Sequence, residues 1–157
     1  MPSLFLENGH TEISISPVAD FAAGDVVSDV HNMRDHEVVI FETFWGVGTT
    51  GVVKLTVLSC DNVTPSNSTA IPFWYRITAK GGTPGAITRA TAADGVSNSA
   101  ASDQLIEIEV HAEDMVAGRA YVQLNVDEPT DDPLLGGVNV RFLQPKHAGA
   151  THAPTIA

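Results

Sequence analysis

Two apolar runs, rich in β-branched and aromatic residues, flank a tip of Gly and Thr in the stretch EVVIFETFWGVGTTGVVKLTVLSCD, Glu37–Asp61. Val38, Val39, Ile40, Phe41, Phe44 and Trp45 form the first run, and Val52, Val53, Leu55, Val57 and Leu58 the second. Gly46, Gly48 and Gly51 permit a sharp reversal between them, so the pattern predicts a β-hairpin. Neither run alternates cleanly. Apolar positions on both faces predict strands covered on two sides, by an opposing sheet and by a terminal arm or a partner chain.

Elsewhere the period of two is clearer. Ile71–Ala79 places Phe73, Tyr75 and Ile77 on one face and Trp74, Arg76 and Thr78 on the other. In Gln104–His111, Ile106, Ile108 and Val110 point inward while Glu107, Glu109 and His111 face out, and Arg119–Asp127 repeats the alternation with Ala120, Val122, Leu124 and Val126. Val138, Val140 and Phe142 form a closing strand, and Asp25–Val30 and Ala86–Thr91 are weaker candidates. Between these runs, HNMRDH, NVTPSNST and Lys80–Gly85 read as turns. Ala112–Gly118 reads as a helical turn, and Ala92–Asp103, small and polar throughout, as an exposed loop. The whole predicts an all-β, antiparallel β-sandwich with jelly-roll-like topology over residues 25–144. Residues 1–24, with the apolar patch Leu4, Phe5 and Leu6, are expected to form an extended N-terminal arm, and residues 145–157 an irregular C-terminal tail.

Composition narrows the function. At 157 residues the chain is about one domain's worth and can bury a core without staples. Cys60 is the only cysteine, which rules out an intrachain disulfide and zinc ribbons. The net charge of −11, with eight scattered basic residues, argues against a nucleic-acid partner, since phosphate binding needs clustered cations. The opening residues lack a cationic region followed by a long apolar core, so no signal peptide is expected, and no run approaches membrane-spanning length. The chain is expected to be soluble, made in the cytoplasm and without membrane contact.

Candidate chemistry is sparse. His31 and His36, five residues apart, straddle a turn and do not share a helical face. Glu128, Asp131 and Asp132 lack the alternate-residue grammar of calcium loops. Glu107 and Glu109 share a strand face, which a paired-carboxylate glycosidase could use, but solvent-facing carboxylates on a half-exposed strand are far commoner. The sequons Asn62-Val63-Thr64 and Asn67-Ser68-Thr69 sit in a Ser/Thr-rich loop and, without secretion, are chance matches. No nucleophile elbow, Walker loop or dinucleotide fingerprint occurs. The expectation is therefore a protein that is not an enzyme, with no catalytic residues, no metal ligands and no cofactor. Trp74 and Arg76 are the candidates for recognition, because an aromatic and a guanidinium on an exposed sheet face serve as interface anchors. A second core face would carry the same two residues.

A hairpin ending in Cys60-Asp61, a Thr-Pro-Ser-Asn loop, an Ile71-Pro72-Phe73 strand start, and an Ala-Glu-Asp turn with Gly118 before Tyr121-Val122 follow one another between Asp25 and Leu143. In this layout the chain resembles the decoration, or cement, proteins of tailed-bacteriophage heads. The resemblance implies a jelly-roll-like sandwich on the capsid exterior, bound to the major capsid protein at junctions between capsomers, often as a trimer. From the residues themselves, the expected interface is Leu4, Phe5 and Leu6 in the arm with Trp74 and Arg76 on the sheet. A carbohydrate- or receptor-binding sandwich of a phage tail or fibre, using Trp45 or Trp74 as a stacking platform, is the alternative from a different class.

Overall fold

The computed structural model describes residues 9–48, 50–98, 103–130 and 132–146. Twelve strands carry the fold: β1 His10–Val18, β2 Val26–Val27, β3 His31–Asn32, β4 His36–Trp45, β5 Val52–Cys60, β6 Ser68–Ile71, β7 Phe73–Ala79, β8 Thr88–Ala90, β9 Val96–Ser97, β10 Gln104–His111, β11 Tyr121–Thr130 and β12 Gly136–Pro145. Apart from a single 3-10 turn at Ala112–Asp114, no helix occurs among the described residues.

The strands form two antiparallel sheets packed as a sandwich. The first runs β1-β12-β4-β10-β7-β8; the second runs β2-β11-β5-β6, with β3 also on β11 and β9 also on β5. If β2 and β3 count as one strand and β7, β8 and β9 as additions, the chain-order pattern is 1-8-3-6 facing 2-7-4-5. That is a jelly roll.

The apolar alternation explains the packing. Val39, Phe41 and Trp45 of β4, Ile106, Ile108 and Val110 of β10, and Val138, Val140 and Phe142 of β12 line the inner face of the first sheet. Val53, Leu55 and Val57 of β5 and Val122, Leu124 and Val126 of β11 line the second. Phe21 and Leu134 close one end, where the Phe21 and Trp45 rings stack with centroids 6.3 Å apart. At the other end lie His10, His31 and His36 around Phe142, with His10 stacked on that ring at 4.4 Å.

Three expectations change. The Glu37–Asp61 stretch is not a hairpin: β4 pairs with β12 and β10, while β5 pairs with β11, β6 and β9 in the opposite sheet. The residues between them step across the sandwich, and each run becomes a central strand of its own layer. A hairpin would have kept both in one sheet. The HNMRDH turn contains β3, which pairs with β11. Ala92–Asp103 is not wholly exposed either. Val96 is buried, and the buried side chain of Asn98 accepts from Val53 N at 2.8 Å and donates to Gly51 O at 3.3 Å, taking the place of a strand neighbour.

Of the segment expected as an arm, residues 10–18 form the edge strand of the first sheet, and Phe21 and Ala22 are buried in the core. Leu4, Phe5 and Leu6 lie outside the described residues. Of the expected tail, Pro145 ends β12 and Lys146 N donates to Asp35 O; residues 147–157 lie outside the described residues.

Candidate functional site

Strand register turns the outer face of the first sheet into a grid. One row reads Thr11, Arg141, Ile40, Glu109, Trp74 and Arg89 across β1, β12, β4, β10, β7 and β8. The next reads Ile13, Asn139, Glu42, Glu107 and Arg76, and a third reads Gly137, Phe44, Leu105 and Thr78. Because side chains alternate across a strand, these residues share the face turned away from the core.

Charge on this face is settled locally. Glu42 and Glu107 lie directly opposite each other, a pairing that repels. Arg141 bonds Glu42 from one side and Arg76 grips Glu107 from the other, with Nε 2.8 Å from Oε2 and Nη2 on the same oxygen. The result is a ladder of two arginines around two carboxylates. Glu109 meets His111 Nε2 at 2.6 Å. Arg89 pairs with Asp114 and places its guanidinium 5.1 Å from the centre of the Trp74 ring.

Apolar side chains fill the remaining positions. Ile40, Phe44, Leu105 and Trp74 are half-buried, whereas Ile13 at 63%, Ile87 at 68% and Leu135 at 58% are exposed at the margins. Phe44 and Leu105 form part of an open groove of about 620 Å³ whose walls come from Pro17, Leu135 and Gly136 on one side and Thr78–Gly82 on the other. At its rim, Asp103 bonds Lys80 Nζ at 2.9 Å and holds that ammonium pKa above its ordinary value. A smaller hollow of about 120 Å³ lies between Ile40, Trp74, Arg76, Ile87, Glu107 and Glu109.

Trp74 and Arg76 thus share the outer face, in adjacent rows, as the alternation predicts. Trp45 is 4% exposed and belongs to the core, so it offers no stacking platform. Trp74 has Arg89 over its ring, which a sugar would have to displace. Glu107 and Glu109 face out together, but both are already bonded, to Arg76 and His111. Glu128 accepts from Gly24 N and Asp132 from Thr50 N, so these acids brace loops; Asp131 lies outside the described residues. His31 bonds Ser14, and no group of three or more metal-ligating side chains suited to hold an ion occurs among the described residues. Cys60 is buried, and burial pushes its thiol pKa up. Asp61 accepts from Ser66 and Asn67, which hold its carboxyl below the usual range and fix the loop carrying the sequons.

Sequence reasoning placed Phe44 in a run covered on both faces but missed Leu105 and Leu135. Leu105 left a signal: in QLIEIEVH it occupies the phase of Glu107 and Glu109, an aliphatic residue where the pattern calls for a polar one. No protein-family model matches the chain, and no curated protein is significantly similar to it. A structure of infectious bursal disease virus Gx strain is similar over 88% of this chain and 40% of that chain, at 14% identity and a TM-score of 0.25. The chain spans well under half of that protein's length, and a score this low does not establish a shared fold.

Proposed function

We propose that the chain is a structural virion protein, a decoration or cement protein on the exterior of a viral head that bridges and stabilises major capsid subunits. The outer face of the first sheet carries this reading. Its carboxylates are tied to Arg76, Arg141 and His111, while Ile13, Ile87 and Leu135 stand exposed around half-buried Ile40, Phe44, Leu105 and Trp74. A face that neutralises its charges in place and leaves aliphatic groups at water suits contact with another protein. The resemblance of the Asp25–Leu143 layout to phage head decoration proteins supports the same reading.

Stabilisation then follows from mass action. A protein that binds the assembled lattice but not its separated subunits stabilises the lattice in proportion to occupancy. With −11 on each copy, dense decoration costs repulsion between copies, so the shell surface beneath supplies basic groups, apolar contacts or both. The test is sedimentation of the purified chain with intact shells and, separately, with dissociated capsid subunits of the same virus. The reading predicts co-sedimentation with shells only, and shells that withstand higher temperature as occupancy rises. Equal binding to subunits, or no binding to shells, contradicts it.

A further inference from the structure

We propose that β1 is an acid-sensitive latch: protons taken up by the imidazoles packed beneath it drive residues 10–18 off the edge of the first sheet while the two sheets stay folded. The device does not depend on the shell reading.

β1 is lightly held. Among the described strands it pairs with β12 alone, and that pairing is unbroken only from His10 to Ile13, with register shifts on either side of Ile15. Toward the sandwich it offers His10, Glu12 and Ser14, and then Ile15, which is half-buried against the core. Its departure therefore forfeits little apolar burial. Release ends at Phe21, which is buried, stacks on Trp45 and donates its N–H to Leu134 O at 3.1 Å.

Beneath the strand three imidazoles share one carboxylate. His10 stacks on Phe142 at 4.4 Å, the His36 ring lies 5.8 Å from His10, and the His31 ring lies 5.6 Å from Phe142. Glu12 Oε1 is bonded to His10 Nε2 at 3.0 Å, while Glu12 Oε2 is 3.9 Å from His31 Nδ1, beyond hydrogen-bond reach. A carboxylate committed to His10 does not also neutralise a proton on His31 or His36. Asp29 is the other acid that acts on His31, and burial outweighs it and Glu12 together. Of the remaining charged groups on the surrounding elements, Asp35 and Glu37 are exposed, Arg34 lies over Tyr121, and Arg141 is bonded to Glu42. Lys146 Nζ, 3.4 Å from Met33 O, adds positive charge. Acid thus loads the closed cluster with charge that it cannot match, and unmatched buried charge is expensive.

Linkage sets the direction. Ser14 closes over His31, with Oγ 2.7 Å from Nε2, and burial holds the His31 pKa at about 4; lifting β1 opens the ring to water, where an imidazole titrates near 6.5. Between those values the open form binds a proton that the closed form refuses. Opening is therefore favoured as pH falls, on the order of fiftyfold from pH 7 to 4.5 through His31 alone. It uncovers Phe142 and leaves the edge of β12 unpaired.

The test is hydrogen exchange of the full chain, read by mass spectrometry at pH 7 and 4.5 and corrected for the intrinsic exchange rate. Residues 10–18 are expected to lose protection about fiftyfold, from a level already below that of β5 and β11, and to exchange at a rate indifferent to low urea, because a local release exposes little surface. His31→Gln, which cannot take the proton, is expected to lose most of the pH effect. Glu12→Gln removes the cluster's carboxylate and is expected to open at higher pH than the natural chain, which decides the matter if His31→Gln does not fold. Protection of residues 10–18 that holds at pH 4.5 or matches that of β11 in level and urea dependence overturns the proposal. So does an undiminished pH effect in His31→Gln, or opening of Glu12→Gln at unchanged or lower pH.

Discussion

The Ser14 hydroxyl and His31 Nε2 lie 2.7 Å apart and join β1, the edge of the first sheet, to β3 in the second. Both residues are buried, and the His31 ring meets Phe41 and Phe142 at 5.7 and 5.6 Å. Toward its start the inner face of β1 is polar, with His10 bonded to Glu12 at 3.0 Å and Glu12 3.9 Å from His31 Nδ1. This end of the edge strand is thus held by hydrogen bonds where neighbouring strands use aliphatic packing, and beyond the register shift Ile15 packs against the core.

Burial lowers the His31 pKa to about 4, against the opposing pull of Glu12 and Asp29. In the unfolded chain the group titrates near 6.5. Between those values the unfolded state binds a proton that the folded state does not, so this group's contribution to stability is full above pH 6.5 and declines as pH falls toward 4. The loss amounts to about 3 kcal/mol at most. Urea melts from pH 4 to 8 are expected to show this slope, and His31→Gln, which cannot titrate, to flatten it. An unchanged slope in His31→Gln would place the pH dependence elsewhere.

Gly95 has φ +61°, and a Cβ built there would lie 2.3 Å from Leu55 O, on the central strand of the second sheet. Gly95→Ala is expected to destabilise the fold by about 2–3 kcal/mol, since both the left-handed backbone and the close approach demand glycine. Thermal melting checks it. A shift within the noise would show that the Thr91–Val96 turn relaxes freely.

Arg76→Ala removes one end of the arginine–carboxylate ladder and leaves Glu107 facing Glu42. The pair is partly exposed, so the expected cost is below about 1 kcal/mol, larger at low salt. Arg76→Ala with Glu107→Gln is expected to recover most of the loss, because it removes the repulsion as well. Additive losses in the double variant would mean that Arg76 acts by packing alone.

The layers of this fold were legible wherever a strand has one wet and one dry face. Ile106, Ile108 and Val110, and Val122, Leu124 and Val126, were placed inward by alternation alone, and all six are fully buried. The pairing of β4 was not legible. Gly46–Gly51 reverses the chain equally well within a sheet or across a sandwich, and the choice is made by β10 and β12, more than fifty residues away. The burial of Asn98 escaped for a related reason, since its partners at Gly51 and Val53 are set by tertiary contact. The groove draws its lining from five separate stretches of chain, announced only by Phe44 in a run that is apolar on both faces and by the misplaced aliphatic Leu105.

The claim that this chain coats a viral shell is tested most directly by electron microscopy of particles from the culture that produces it, labelled with gold-conjugated antibody against the purified protein. The account predicts many labels spread over the head surface of intact particles and their loss from particles stripped of the chain. Label confined to the tail, or particles that carry none, would contradict it.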